Sequence, residues 1–177
     1  DRTIAFDPAL FMHMRSILLV LLLLFGCRPS PAQHVTSPEY DRMLQGLLSG
    51  AVPTIGVQEV SEETDHILLD ARDQAEYAVS HIAGARWVGY DDFDLARVKD
   101  LAKGSPIVVY CSVGYRSERI TEKLRDAGYS NVRNLYGGIF EWVNTDHAVV
   151  DESGVTQRIH GYDLLWGRWV TRGEKVY

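Results

Sequence analysis

The chain has 177 residues, enough for one domain with a full core and too few for two of ordinary size. Hydrophobic residues make up 46% and charged residues 24%, which excludes wholesale disorder. A formal net charge of -6 gives nucleic acid no basic footprint, so a phosphate-backbone binder is excluded as well.

In chain order, residues 1–13 precede any sensible signal start and read as an upstream addition. From Met14 the sequence MRSILLVLLLLFGC places Arg15 before an unbroken apolar run, Ile17 to Phe25, and ends on a small residue and Cys27. Nine apolar residues are about half of what a membrane-spanning helix needs, so the run reads as an export signal. Leu24-Phe25-Gly26-Cys27 resembles a bacterial lipobox, with Phe25 bulkier than the usual residue. The resemblance implies lipidation of Cys27 and a protein that is exported, periplasmic or extracytoplasmic, and lipid-anchored to a bacterial membrane. The alternative is an ordinary cleaved signal with a chance cysteine. The following RPSPAQHVTSP, rich in proline and small polar residues, reads as an extended tether.

Ser37-Pro38-Glu39 reads as a helix start, with Met43, Leu44, Leu47 and Leu48 on one face and Gly50 at the cap position. Beyond it TIGV (54–57), HILLDA (66–71), RWVG (86–89), PIVVYC (106–111) and NVRNL (131–135) read as strands. RDQAEYAVS, DDFDLARVKDLA, SERITEKLRDAG and GIFEWVN between or after them read as helices. Strands alternating with helices imply a parallel sheet covered on both faces. The division expected is 1–26 upstream residues plus signal, 27–37 tether, 38–50 N-terminal helix, 51–150 α/β domain and 151–177 C-terminal aromatic strap. The strap, with Tyr162, Trp166 and Trp169, carries no assignable chemistry and is expected to pack on the domain surface, a partner-binding segment being the alternative.

Cys111 is the one cysteine of the expected folded part, and it stands where PIVVY ends and a helix begins. In an open parallel sheet, ligands bind beyond the carboxyl ends of the strands. Unpaired amides and the helix dipole there stabilise a thiolate. In CSVGYRS, Gly114 permits backbone angles other residues resist, so the loop amides can curl toward the sulfur. Arg116 is placed to hold a dianion through paired hydrogen bonds. The competing reading of Cys111 is a small core hydrophobe at a strand end.

These residues resemble the rhodanese-like sulfurtransferases. LLDARDQAEYAVSHIAGA (68–85) is similar to the family's first signature, and VVYCSVGYRSERITEKLRDAGYSNVRNLYGGIFEW to its active-site loop, following helix, last strand and closing segment. The resemblance covers roughly residues 52–148. It implies a three-layer α/β domain around a five-stranded parallel sheet. It also implies a persulfide on Cys111 that passes sulfane sulfur from thiosulfate or another donor to cyanide or a thiol, with no metal or organic cofactor. By position, Cys111 is the nucleophile, and Ser112, Val113, Gly114, Tyr115 and Arg116 form the substrate cradle through backbone donors. Asp70 and Arg72 are expected to fix loops, with Ser117 in support. His81 has no second histidine at ligand spacing and so suggests no metal site. Gly137 and Gly138 are expected to permit the turn into the last helix. Arg119 either adds positive potential or is merely solvated. The partners implied are a small anionic sulfur donor, a thiol or cyanide acceptor and a membrane reached only through the N-terminal lipid. A non-catalytic persulfide-sensing or docking module is the alternative. A cysteine-dependent phosphatase or arsenate reductase fits less well, because five residues separate cysteine and arginine there against four here.

Overall fold

The computed structural model describes residues 35–177. The signal-like run, Cys27 and most of the tether lie outside the described residues. Helix α1 (Pro38–Leu47) begins as the sequence dictates: Ser37 is the N-cap, its hydroxyl accepts from Tyr40 N–H at 3.3 Å, and Pro38 occupies the first turn. It ends before the expected Gly50, at an extended Leu48. No helix among the described residues is long and apolar enough to cross a membrane.

The core is a five-stranded sheet of β1 (Thr54–Ile55), β2 (Ile67–Asp70), β3 (Arg86–Trp87), β4 (Ile107–Tyr110) and β5 (Val132–Leu135). Its order is β1-β5-β4-β2-β3 and every pairing is parallel, as the alternation of strands and helices predicts. β4 lies at the centre and all four of its residues are buried. Ile107 and Val109 face one apolar cluster with Ile120 and Leu124, while Val108 and Tyr110 face another with Leu44, Ile139 and Phe140. The two-residue period of the strand therefore feeds two helical layers, one on each face.

Two elements depart from the sequence reading. The run expected as strand 54–57 is cut to two residues because Val57 opens helix α2 (Val57–Glu62), whose Val57 and Val60 are buried one turn apart. The segment DDFDLARVKDLA forms only a 3₁₀ turn, Leu95–Val98. Its side chains bond locally instead of leaving the backbone to a helix: Asp94 accepts from Ala96 N–H at 2.8 Å, Asp92 pairs with Arg97, and Arg97 donates to the Val88 carbonyl. The remaining helices are α3 (Gln74–Val79), α4 (Tyr115–Asp126) and α5 (Gly138–Asn144).

The C-terminal segment is ordered into a hairpin, β6 (Val149–Asp151) with β7 (Gly154–Thr156), and a parallel pair, β8 (Arg158–His160) with β9 (Glu174–Val176). The expected boundary at 150/151 falls inside β6. Ile159 and Val170 are buried in the same cluster as α1 and α5, and the Trp169 ring stacks on Tyr40 with centroids 5.3 Å apart.

Gly138 does more than permit a turn. Its φ is 59°, and a Cβ there would run into the carbonyls of Cys111 and Ser112, the latter at 2.6 Å. The approach lets Ile139 N–H and Phe140 N–H donate to those two carbonyls at 2.9 and 3.1 Å. Gly138→Ala is therefore expected to cost about 1–3 kcal/mol in urea denaturation. Gly46→Ala, in α1 with open space around it, is expected to be neutral or to gain up to about 1 kcal/mol.

Candidate active site

Strand β4 delivers Cys111 to the carboxyl edge of the sheet, and Ile120 and Leu124 of α4 pack into the cluster that also holds Ile107 and Val109 of β4. Between them Gly114 takes φ 114° as the N-cap of α4, a conformation other residues rarely adopt. Its N–H donates to Cys111 Sγ at 3.2 Å. Cys111 is only 1% exposed, yet it lines a cleft of about 470 Å³ together with Ser112, Val113, Tyr115 and Arg116. Cys111 is thus a buried residue in the lining of a cleft at a strand-to-helix junction.

The expected cradle is differently built in two respects. Of the loop amides, that of Gly114 makes the hydrogen bond to Sγ, while Ser112 contributes its side chain. Arg116 does not stand ready for a substrate dianion: its Nη1 donates to Glu76 Oε2 at 2.7 Å and its Nη2 to Glu76 Oε1 at 2.8 Å. Ser112 Oγ joins them, donating to Glu76 Oε1 and accepting from Arg116 Nη2, both at 3.0 Å. Glu76 Oε2 also accepts from Asp73 N–H at 3.0 Å, closing the first turn of α3. A buried carboxylate is stable only when its lone pairs are used, and here donors from α3, the cysteine loop and α4 use them.

Burial opposes charge on both partners. Hydrogen bonds and charge from Arg116, with Arg72 behind, outweigh it and hold the Glu76 carboxyl below the usual range. In return the bonds to Glu76 and negative charge at Cys111 and Asp73 push the Arg116 guanidinium further up.

Asp70 and Arg72 form a fully buried pair beside this network. Arg72 Nε and Nη2 donate to the Asp70 carboxylate at 3.0 and 2.7 Å, and Nη2 also reaches the Ser80 carbonyl at 2.6 Å. The pair fixes the loop from β2 through α3 and does not line the cleft. Ser117 Oγ donates to Asn134 Oδ1 at 2.7 Å, and Asn134 Nδ2 donates to the Gly114 carbonyl at 3.0 Å, so Ser117 supports the loop through β5. His81 stacks on Tyr77 with ring centroids 3.9 Å apart and is a packing residue. Arg119 is answered by Glu122 at 3.3 Å and Glu118 at 3.9 Å.

Sequence reasoning missed Glu76, Asn134 and the strap's share in the site. Glu76 stands three residues after Asp73, a capping-box spacing that signals a role at a helix start. Asn134 is a polar residue fully buried in a strand, between Arg133 and Leu135. Tyr162 and Trp166 of the strap and Leu47 of α1 complete the cleft wall, and the Tyr162 ring lies 5.1 Å from the Arg116 guanidinium carbon. Nothing local in the sequence indicates that.

Arg116→Met is expected to destabilise the fold by roughly 3–5 kcal/mol, because Glu76 is left buried and unpaired. Adding Glu76→Gln should recover much of that loss in denaturant titrations. Since the folded pKa of Glu76 is depressed, its contribution is present above the ordinary value of 4.5 and is lost as pH falls through the folded value. The stability gap between Arg116→Met and the unsubstituted protein should therefore narrow on acidification below that value.

A profile of the family described as rhodanese-like domain matches residues 56–145, just over half of the chain. The chain is 35% identical over 86 residues to an adenylyltransferase and sulfurtransferase of Meyerozyma guilliermondii, covering 45% of this chain and 20% of that protein. It is 35% identical over 88 residues to a tRNA uridine(34) hydroxylase of Staphylococcus haemolyticus, covering 46% and 27%. It therefore spans well under half the length of these relatives. A solved rhodanese-like domain from an Anabaena protein matches with a TM-score of 0.53 and 25% identity, covering 56% of this chain and 79% of that one. Central parallel sheet, cysteine loop and matched span together establish that the chain belongs to the rhodanese-like domain family.

Proposed function

We propose that the protein is a sulfurtransferase that moves sulfane sulfur from thiosulfate or another persulfide donor to a thiophilic acceptor through a persulfide on Cys111. The observation that carries this reading is the position of Cys111 in the cleft lining, beyond the central strand, with Gly114 N–H 3.2 Å from its Sγ and α4 starting at Tyr115. A thiolate there attacks the outer sulfur of the donor. The bond between that sulfur and the donor body breaks, and its electron pair leaves on the donor, as sulfite when the donor is thiosulfate. A cyanide or thiolate acceptor then takes the outer sulfur, and the bonding pair returns to Cys111. The Gly114 N–H beside the sulfur serves the persulfide anion as it serves the thiolate. The similarity to the adenylyltransferase and sulfurtransferase of Meyerozyma guilliermondii supports this chemistry.

Incubation with a sulfane donor is expected to add about 32 Da to the protein at Cys111, and addition of cyanide to remove it. Cys111→Ser should lose both the mass gain and the turnover while keeping a cooperative unfolding transition. Turnover retained by Cys111→Ser would overturn the mechanism, and no persulfide with any donor would favour a docking module. We also propose export and lipid anchoring through Cys27, supported by the run from Met14 to Cys27. In a bacterial host, labelled palmitate should enter the full-length protein and be lost in Cys27→Ser.

A further inference from the structure

We propose that the cleft selects against small dianions and takes as its sulfur donor an organic persulfide with an uncharged or cationic body. The inference rests on the sulfur-transfer reading and narrows its substrate.

Charge is the first reason. The paired donors of Arg116 that would grip a sulfur oxyanion are bonded to Glu76 at 2.7 and 2.8 Å. An incoming dianion has to compete with a carboxylate already in the bidentate position, and displacing it would leave Glu76 buried with its charge unanswered. Two further carboxylates, Asp73 and Asp91, line the same cleft, with Asp73 Oδ2 3.5 Å from Arg116 Nη1. Among the described residues Arg116 is the one cation in the cleft lining, against these two carboxylates and Glu76 behind them. Arg119, the next cation along α4, has its own acidic partners. The carboxylates register one another's field: burial raises the Asp73 carboxyl, Arg116 pulls it down, and the charges of Glu76 and Asp91 push it up again, leaving it above its usual value.

Size and surface are the second reason. A volume of about 470 Å³ falls in the range of roughly 300–1,000 Å³ found for clefts that bury organic ligands. Tyr90, Tyr115, Tyr162, Trp166 and Leu47 are five of its eleven lining residues, so aromatic and apolar side chains make up a large part of the wall. Aromatic faces flanked by carboxylates attract an apolar or positively charged body and repel an anion. In the step so favoured, the Cys111 thiolate attacks the terminal sulfur of R–S–SH. A bond forms between Sγ and that sulfur, the donor's S–S bond breaks, and its electron pair leaves as R–S⁻, which takes the proton released by the enzyme persulfide.

The test loads the full chain from four donors: thiosulfate and the persulfides of thioglycolate, 2-mercaptoethanol and cysteamine, which are small and differ in charge. Mass gain on Cys111 under single-turnover conditions gives the rate for each. The expected order of loading efficiency is cysteamine and mercaptoethanol persulfides first, thioglycolate persulfide next and thiosulfate last, at least about tenfold below the neutral donor. Asp91→Asn, a surface change, should raise the thiosulfate-to-neutral ratio by about threefold at low salt, and the gain should shrink as salt screens the site. Glu76→Gln should raise the ratio further through a lower thiosulfate KM. Should it fail to fold, Asp91→Asn carries the test. Thiosulfate loading as efficiently as the neutral persulfide, or a ratio unmoved by Asp91→Asn, overturns this inference and leaves sulfur transfer standing. Failure of all four donors to load Cys111 overturns both.

Discussion

The two-pronged bond between Arg116 and Glu76 is the contact on which the site depends. Glu76 is 2% exposed, and a carboxylate so buried requires donors from somewhere. It takes them from the first turn of its own helix, from the cysteine loop through Ser112 and from α4 through Arg116. One side chain thereby ties the start of α3 to the cysteine loop and the first turn of α4, some forty residues further on, and the loop around Cys111 is held by side-chain bonds on one flank. The fully buried Asp70 and Arg72 pair stabilises the segment that carries Glu76 from below.

The other flank of the loop is held through its main-chain carbonyls. Asn134 on β5 receives Ser117 Oγ–H and donates to the Gly114 carbonyl, and the first amides of α5 donate to the carbonyls of Cys111 and Ser112. That last contact is open only to a residue without a Cβ, which is the physical role of Gly138. With its carbonyls bonded outward to α5, the loop is free to present Gly114 N–H to the sulfur. Pre-organisation of this kind lets donors act on a developing charge without first turning toward it.

The cleft itself is made by parts outside the central sheet. Glu118 on α4 accepts from Ser49 N–H, Ser49 Oγ–H and Gly50 N–H, which fixes the chain just after α1 and places Leu47 at the cleft. The segment between β8 and β9 brings Tyr162 and Trp166 to the opposite side, anchored by Trp169 against Tyr40. Cys111 thus belongs to the sheet edge, while part of the cleft wall, Leu47, Tyr162 and Trp166, is supplied by the two terminal segments. That division leaves the chemistry fixed and the choice of ligand adjustable.

The sequence by itself determined the parallel sheet, the last helix at 138–144 and the placement of Cys111 at a strand-to-helix junction, because apolar period, glycine placement and capping are local signals. It did not disclose α2, a six-residue helix too short to show a period, nor that side-chain bonding of Asp92 and Asp94 would reduce 91–102 to a 3₁₀ turn. Only the tertiary structure decided the state of Arg116. Its distance from Cys111 is written in the chain, but Glu76 lies forty residues upstream, and whether a guanidinium meets a substrate or a protein carboxylate depends on which helices the sheet brings together. The strap's place at the cleft was settled the same way, since an aromatic residue records in sequence that it will be covered and says nothing of what it will cover.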